Sequence, residues 1–338
     1  HGEFELAAER LAWVNAKAPD SETIYALAKT YRRLDRVDDL RTLMDDFAAH
    51  EEADADSKAD ALLYTGYDFL AGDDYDTAVE FIEKAAAIDS IWNWRTRSTL
   101  AEFNGDSKTA QNAFESFKGN RDDHTMGWYW FCLRWGLDAS IPQQRIMNGY
   151  DWAKIQYKQT PILMLPEDFI IYLMLTESEE PEVIFEQLKN TVHRDLYRGL
   201  HLLMYVLEHD FINEEKMEWL CLHITPSLES STSPADRIYL NKLSIAIVED
   251  LQDGMGGDLS DQKIEEILRN APSGEHVNVC YFVGKYLSLC DQEERAVEYW
   301  RRAAQSPFII KTNRTLAVQE LRKRGMTTEE YLDLYLVE

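Results

Sequence analysis

Small residues recur in this chain at fixed intervals inside otherwise bulky helical patterns. One unit reads Leu62, Gly66, Phe69, then Asp73-Asp74-Tyr75-Asp76-Thr77-Ala78, then Ile82 and Ala85. Gly284, Leu287, Ala296, Trp300 and Ala303 return near the C-terminus at the same spacing. A Gly or Ala on each of two antiparallel helices lets their backbones approach, while bulky residues fill the space behind. Ala78 and Ala110 stand 32 residues apart, so the unit propagates. Only 15 Gly and 9 Pro occur among 338 residues, too few for a turn-rich β chain.

These positions resemble the tetratricopeptide repeat, a helix-turn-helix unit of about 34 residues. The likeness is clearest at 59–92 and 277–306 and weaker at 2–54 and 91–118. Ile24, Leu27, Ala28 and Tyr31 pair with Leu40, Met44 and Phe47 in the weaker first unit, where Leu40 in place of Ala predicts a wider helix contact. Trp94, Ala101, Gly105, Ala110, Phe114 and Phe117 carry the pattern after Ala85. The resemblance implies an all-α fold, a right-handed superhelix of antiparallel helix pairs.

Gly2-Glu3-Phe4, Ala7, Leu11 and Pro19 match a repeat's turn and second helix, so the chain reads as starting in mid-repeat, with apolar surface left open at that end. From 125 to 275 the small-residue pattern fades while helical periodicity persists, as in 182–189 and 238–251, between breaks at 141–142, 161–166, 180–181, 230–234 and 253–258. The expected organisation is therefore repeats over 1–124, a divergent helical middle over 125–275, and a C-terminal repeat with closing helices over 276–338. Thr327-Thr328-Glu329-Glu330 forms a capping box for the last helix.

Net charge of −26 repels phosphate backbones, which argues against a nucleic-acid partner. No apolar run approaches the roughly 20 residues that span a bilayer, so membrane insertion is not expected. The first residues carry no basic-then-apolar leader, which leaves the compartment open. Cys132, Cys221, Cys280 and Cys290 lack paired spacing and read as buried thiols. Asn313-Arg314-Thr315 fits a glycosylation sequon and reads as coincidental.

Neither a catalytic motif nor a metal or cofactor signature emerges. The acidic runs Asp38-Asp39, Asp45-Asp46, Asp73 to Asp76 and Asp122-Asp123 read as solvated or helix-starting groups. His193, Tyr197, His201, Tyr205 and His209 recur every four residues, a stripe better suited to helix packing than to metal binding. Trp128-Tyr129-Trp130-Phe131 with Trp135, and Trp92 with Trp94, are read mainly as core. They also supply the alternative reading, a helical-toroid enzyme on carbohydrate. Arg301, Arg302, Lys311, Arg314, Arg322, Lys323 and Arg324 make a basic C-terminal stretch, read chiefly as solvated helix faces and otherwise as a docking face for an acidic partner.

The resemblance points to a non-catalytic protein-interaction scaffold, with a protein or peptide held on the concave face of each pair's first helix. The positions carried across are Tyr25, Lys29, Arg32 and Arg33, then Leu63 and Tyr67, then Trp92 and Arg95. Glu22, Asp60 and Glu102 accompany them, leaving this face less acidic than the whole. Leu63 and Tyr67 stand where the family's chaperone-tail clamp needs Lys and Asn, so chaperone tails are not expected. A self-assembly role through the open N-terminal end is the second alternative.

Overall fold

A computed structural model describes residues 2–17, 20–70, 74–117, 122–146, 196–209, 238–252, 259–306 and 311–335, with Phe185 and Trp219 as single positions. Every regular element among them is helical. The chain divides into two units, His1–Trp128 and Tyr129–Glu338. The expected helix at 182–189 and the breaks at 161–166, 180–181, 230–234 and 253–258 lie outside the described residues, as do Cys221, His193 and Asp73, and the side chains of Asp122, Asp123 and Tyr197.

The first unit holds α1 (Gly2–Asn15), α2 (Ser21–Arg33), α3 (Val37–Ala49), α4 (Ala55–Leu70), α5 (Tyr75–Ala86), α6 (Asn93–Phe103) and α7 (Ser107–Ser116). α8 (Asp122–Trp135) begins in it. Aspartates start these helices by accepting backbone N–H groups that have no partner within the helix: Asp20 from Thr23 at 2.9 Å, Asp54 from Ser57 at 2.8 Å, Asp74 from Thr77 at 3.1 Å and Asp106 from Thr109 at 3.0 Å. Those bonds, together with others from the same Thr or Ser side chains, hold Asp20, Asp54 and Asp106 below the ordinary carboxylate range. Part of the acidic patterning is thus helix capping.

α4 and α5 pack antiparallel across Gly66, where an added Cβ would lie 2.6 Å from Ile82 Cγ1 and 3.0 Å from the Ala78 carbonyl oxygen. Phe69 stacks on Phe81 at 5.7 Å. α2 and α3 engage less extensively, as Leu40 in the small-residue position predicts. Further along, His124 sits fully buried among Trp94, Phe117, Phe114 and Trp128, with its Nε2 2.8 Å from the Phe114 carbonyl.

A recurring turn, which the small-residue pattern does not reveal, marks the pairs most sharply. The Arg36 N–H bonds to the Tyr31 carbonyl at 2.9 Å, Asp74 to Phe69 at 3.1 Å and Asp106 to Ala101 at 2.8 Å, each closing a first helix by the same six-residue loop. The second unit repeats it: Leu137 to Cys132 at 2.9 Å, Gln292 to Leu287 at 2.9 Å and Met326 to Leu321 at 3.1 Å. The left-handed residue that this loop demands is Gly at 105, 136 and 325, but Asp at 35 and 291, both with φ of 58°. The turn at Leu137 shows that the helix-pair rule continues past the point where the sequence pattern fades.

The second unit contains α9 (Leu196–Glu208), α10 (Ile238–Gln252), α11 (Asp261–Asn270), α12 (His276–Leu289), α13 (Glu293–Ala304), α14 (Thr312–Lys323) and α15 (Thr328–Tyr335). Residues 140–146 are also helical. α12 and α13 reproduce the close approach of α4 and α5, since a Cβ on Gly284 would meet the Trp300 ring at 2.7 Å and the Ala296 carbonyl at 3.0 Å. Their neighbour α14 is largely enclosed: Asn313, Arg314, Thr315, Ala317 and Val318 have no exposure. Arg134 donates to Thr315 at 3.3 Å, Arg322 donates to the Arg134 carbonyl at 3.0 Å, and Trp135 meets Tyr331 edge-on at 5.4 Å. Segments distant in sequence therefore pack together in this unit, beyond the neighbour-to-neighbour contacts of a simple stack.

Candidate functional site

The loop before α6 is fixed to the start of α4, because the Ile91 N–H donates to Asp56 at 2.9 Å. That bond places Trp92 and Arg95 beside α4. Tyr25 on α2 meets Tyr64 on α4 at 5.9 Å, and Tyr64 meets Tyr67 edge-on at 6.2 Å. The Arg95 guanidinium lies over Tyr67 at 5.3 Å, Tyr64 at 5.8 Å and Trp92 at 6.0 Å. Lys29 Nζ lies 5.8 Å from the Tyr25 ring centre. The result is a strip of rings and cations that crosses three successive first helices.

Burial raises the Tyr25 phenol well above its ordinary pKa, and the adjacent Asp68 carboxylate adds to the shift. Tyr25 therefore stays neutral across the physiological range, with its hydroxyl already hydrogen-bonded to Asp68. Tyr67 anchors the strip from below, its hydroxyl 3.2 Å from Thr99 Oγ1. Each cation over a ring is attracted by the ring's negative face, by about 0.5–1 kcal/mol at exposed sites, and loses side-chain freedom before any ligand arrives.

Of the eight expected groove residues, Tyr25, Lys29, Tyr67, Trp92 and Arg95 come together. Arg32 stacks on Phe69 at 5.1 Å at the far end of α4. Leu63 does not line the surface: it is fully buried, packed in the helix layer below. Tyr67 is also buried, at 4% exposure, so it supports the strip without forming its outer wall. Arg33 turns away and stacks on Phe4 of α1 at 5.3 Å. Glu102 is buried, which takes one carboxylate off this face, whereas Glu22 remains exposed. Tyr64 is the residue the sequence reading missed; it neighbours Leu63, and only the rotation of α4 decides which of the two faces out.

The second helices carry the opposite charge. Asp38, Asp39, Asp45 and Asp46 on α3, and Asp76 and Glu83 on α5, are exposed. Arg41 with Glu80 at 3.3 Å and Lys84 with Asp45 at 2.7 Å tie α3 to α5.

Other sequence candidates resolve into packing. Trp128, Tyr129, Trp130, Phe131 and Trp135 are all buried, which removes the open aromatic cleft on which the carbohydrate reading rested. His201 and Tyr205 are buried between helices, and His201 Nε2 lies 3.1 Å from Asn313 Oδ1. Burial pushes the His201 imidazole down to about 3, so it is neutral at physiological pH. Asn313 has no exposure, so the sequon is not an accessible acceptor. Cys132 and Cys280 are buried free thiols, and Cys290 is half-buried.

Much of the basic C-terminal stretch is held in ion pairs and hydrogen bonds within the chain. Arg302 pairs with Glu265 at 2.5 Å, Lys311 with Glu275 at 2.8 Å, Lys323 with Glu320 at 3.0 Å and Arg324 with both Glu320 and Glu293. Arg314 is fully buried and donates to the Ser306 carbonyl and to Tyr331. These donors are engaged within the chain, while Arg301 and Lys323 keep exposed side chains.

Among the described residues no three His, Cys, Asp or Glu side chains converge as metal ligands, and no helix is long and apolar enough to cross a membrane. No family model matches the chain, and no curated protein matches it. Among solved structures, the crystal structure of the P58(IPK) TPR domain aligns over 96% of this chain and 96% of that chain at 10% identity, with a TM-score of 0.22. The helix-pair architecture here rests on this chain's own turns and contacts.

Proposed function

We propose that this chain is a non-catalytic scaffold that holds an extended, carboxylate-bearing peptide along the first helices α2, α4 and α6. The observation that carries this reading is the Arg95 guanidinium laid over three rings, continuous with the Tyr25–Lys29 pair. Tyr, Trp and Arg are the residue types that concentrate binding energy at interfaces, and a braced Arg spends little entropy on forming a bidentate pair. In a protein of net charge −26, an acidic segment is repelled by the carboxylates of α3 and α5 and finds its complement on this strip.

Selection from a displayed library of extended peptides tests the reading. Wild type is expected to enrich sequences with spaced Asp or Glu next to an aromatic residue, and Arg95→Glu is expected to lose them while keeping its helical circular dichroism. Enrichment without acidic character, or binding unchanged in Arg95→Glu, would refute it.

A further inference from the structure

The outer face of α1 is the most apolar exposed surface among the described helices. Trp13 is 66% exposed and Leu6 47%, whereas Ala8, on the opposite side of the helix, is buried against the rest of the unit. Leu6 and Trp13 lie two helical turns apart and nearly in line. Glu9 falls about 50° to one side of that line and Arg10 about 50° to the other, at about 100° per residue. Glu9, Arg10, Trp13 and Val14 together line a shallow depression. Glu5 reaches Arg36 at 3.4 Å, but among the described residues neither Glu9 nor Arg10 makes an ion pair.

We propose that this face joins two copies of the chain, α1 against α1, parallel and related by a two-fold axis. The charges choose both the partner and the direction. In a parallel pair about a two-fold axis, the Glu9 side of each helix faces the Arg10 side of the other, only about 1.5 Å apart in height. Two ion pairs then flank a seam in which Leu6 meets its counterpart and Trp13 meets its counterpart. Reversing one helix sets Arg10 against Arg10 and Glu9 against Glu9, so the antiparallel arrangement is repelled. The surface is its own complement in one orientation only, which makes a second copy the partner it fits.

One helix from each copy buries less than about 1,200 Å², so the dimer is weak and reversible. Sedimentation equilibrium over roughly micromolar to millimolar chain, at about 0.15 M salt to screen the −26 charge, detects such a dimer. Wild type is expected to shift from monomer to dimer across that range. Arg10→Glu creates two repulsive contacts at once and weakens the dimer about tenfold or more, because each substitution enters a two-fold interface twice. The swap Glu9→Arg with Arg10→Glu restores both ion pairs and returns the dimer to near wild-type strength. Trp13→Ser abolishes it, and helical circular dichroism confirms that each variant keeps its fold. A wild type that stays monomeric throughout, a swap variant that fails to recover, or a dimer indifferent to Trp13→Ser would each overturn the proposal.

Discussion

Replacing Gly284 by Ala tests the close helix approach from which the repeat was first read. In isolation the change favours the helix by about 1 kcal/mol, because Gly is the poorer helix former. Here the new methyl would lie 2.7 Å from two atoms of the Trp300 ring and 3.0 Å from the Ala296 carbonyl. Trp300 is fully buried and its ring is rigid, so α12 and α13 must move apart. Overpacking of this kind costs about 1–3 kcal/mol, and the backbone contact puts it at the upper end. The net destabilisation is about 1–2 kcal/mol, a fall in melting temperature of roughly 2–8 °C for a unit of this size. Thermal unfolding followed by near-ultraviolet circular dichroism measures it. Gly325→Ala is the control: its Cβ would meet nothing within 4 Å, so any loss there reflects only the left-handed backbone at φ of 96°. A Gly284→Ala protein as stable as wild type, or more stable, would refute the argument.

Asp291→Gly is expected to stabilise by about 0.5–1 kcal/mol, since Asp291 holds a left-handed φ of 58° where the equivalent turns at 105, 136 and 325 use Gly; urea unfolding would show the midpoint rise. His201 is neutral when folded, with its pKa pushed down to about 3, and regains an ordinary value near 6.5 when unfolded. Above pH 6.5 both states are neutral and no penalty arises. As pH falls from about 6.5 toward 3 the unfolded state alone takes up the proton, and stability drops by about 1.4 kcal/mol per pH unit. His201→Gln should lose that portion of the acid sensitivity, and an unchanged pH slope would contradict the buried, neutral imidazole.

The close helix contacts were legible because they depend on local spacing: Gly66 with Ala78, and Gly284 with Ala296, follow from small residues placed on facing helices. The outward face of α4 was not legible. Leu63, Tyr64 and Tyr67 share one helix, and a rotation of about one residue, set by how α4 seats on α2 and α5, buries Leu63 and leaves Tyr64 half-buried at the surface. The turns at Asp35 and Asp291 escaped notice because Asp tolerates the left-handed region but does not advertise it as Gly does. The internal partners of the basic C-terminal stretch were not legible for another reason. Its acceptors, Glu265, Glu275, the Ser306 carbonyl and Tyr331, come from separate elements that only tertiary packing brings into reach. The aromatic run at 128–135 had a period that fits core and cleft alike, and burial decided for core.

The decisive question for this protein is whether the Tyr25–Tyr64–Arg95 strip receives a ligand. Hydrogen–deuterium exchange of the chain with and without a selected acidic peptide measures this directly. Added protection is expected to be confined to α2, α4 and the start of α6, and to be lost in Arg95→Glu. Protection that falls instead on α3 and α5, or that survives Arg95→Glu, would contradict that expectation.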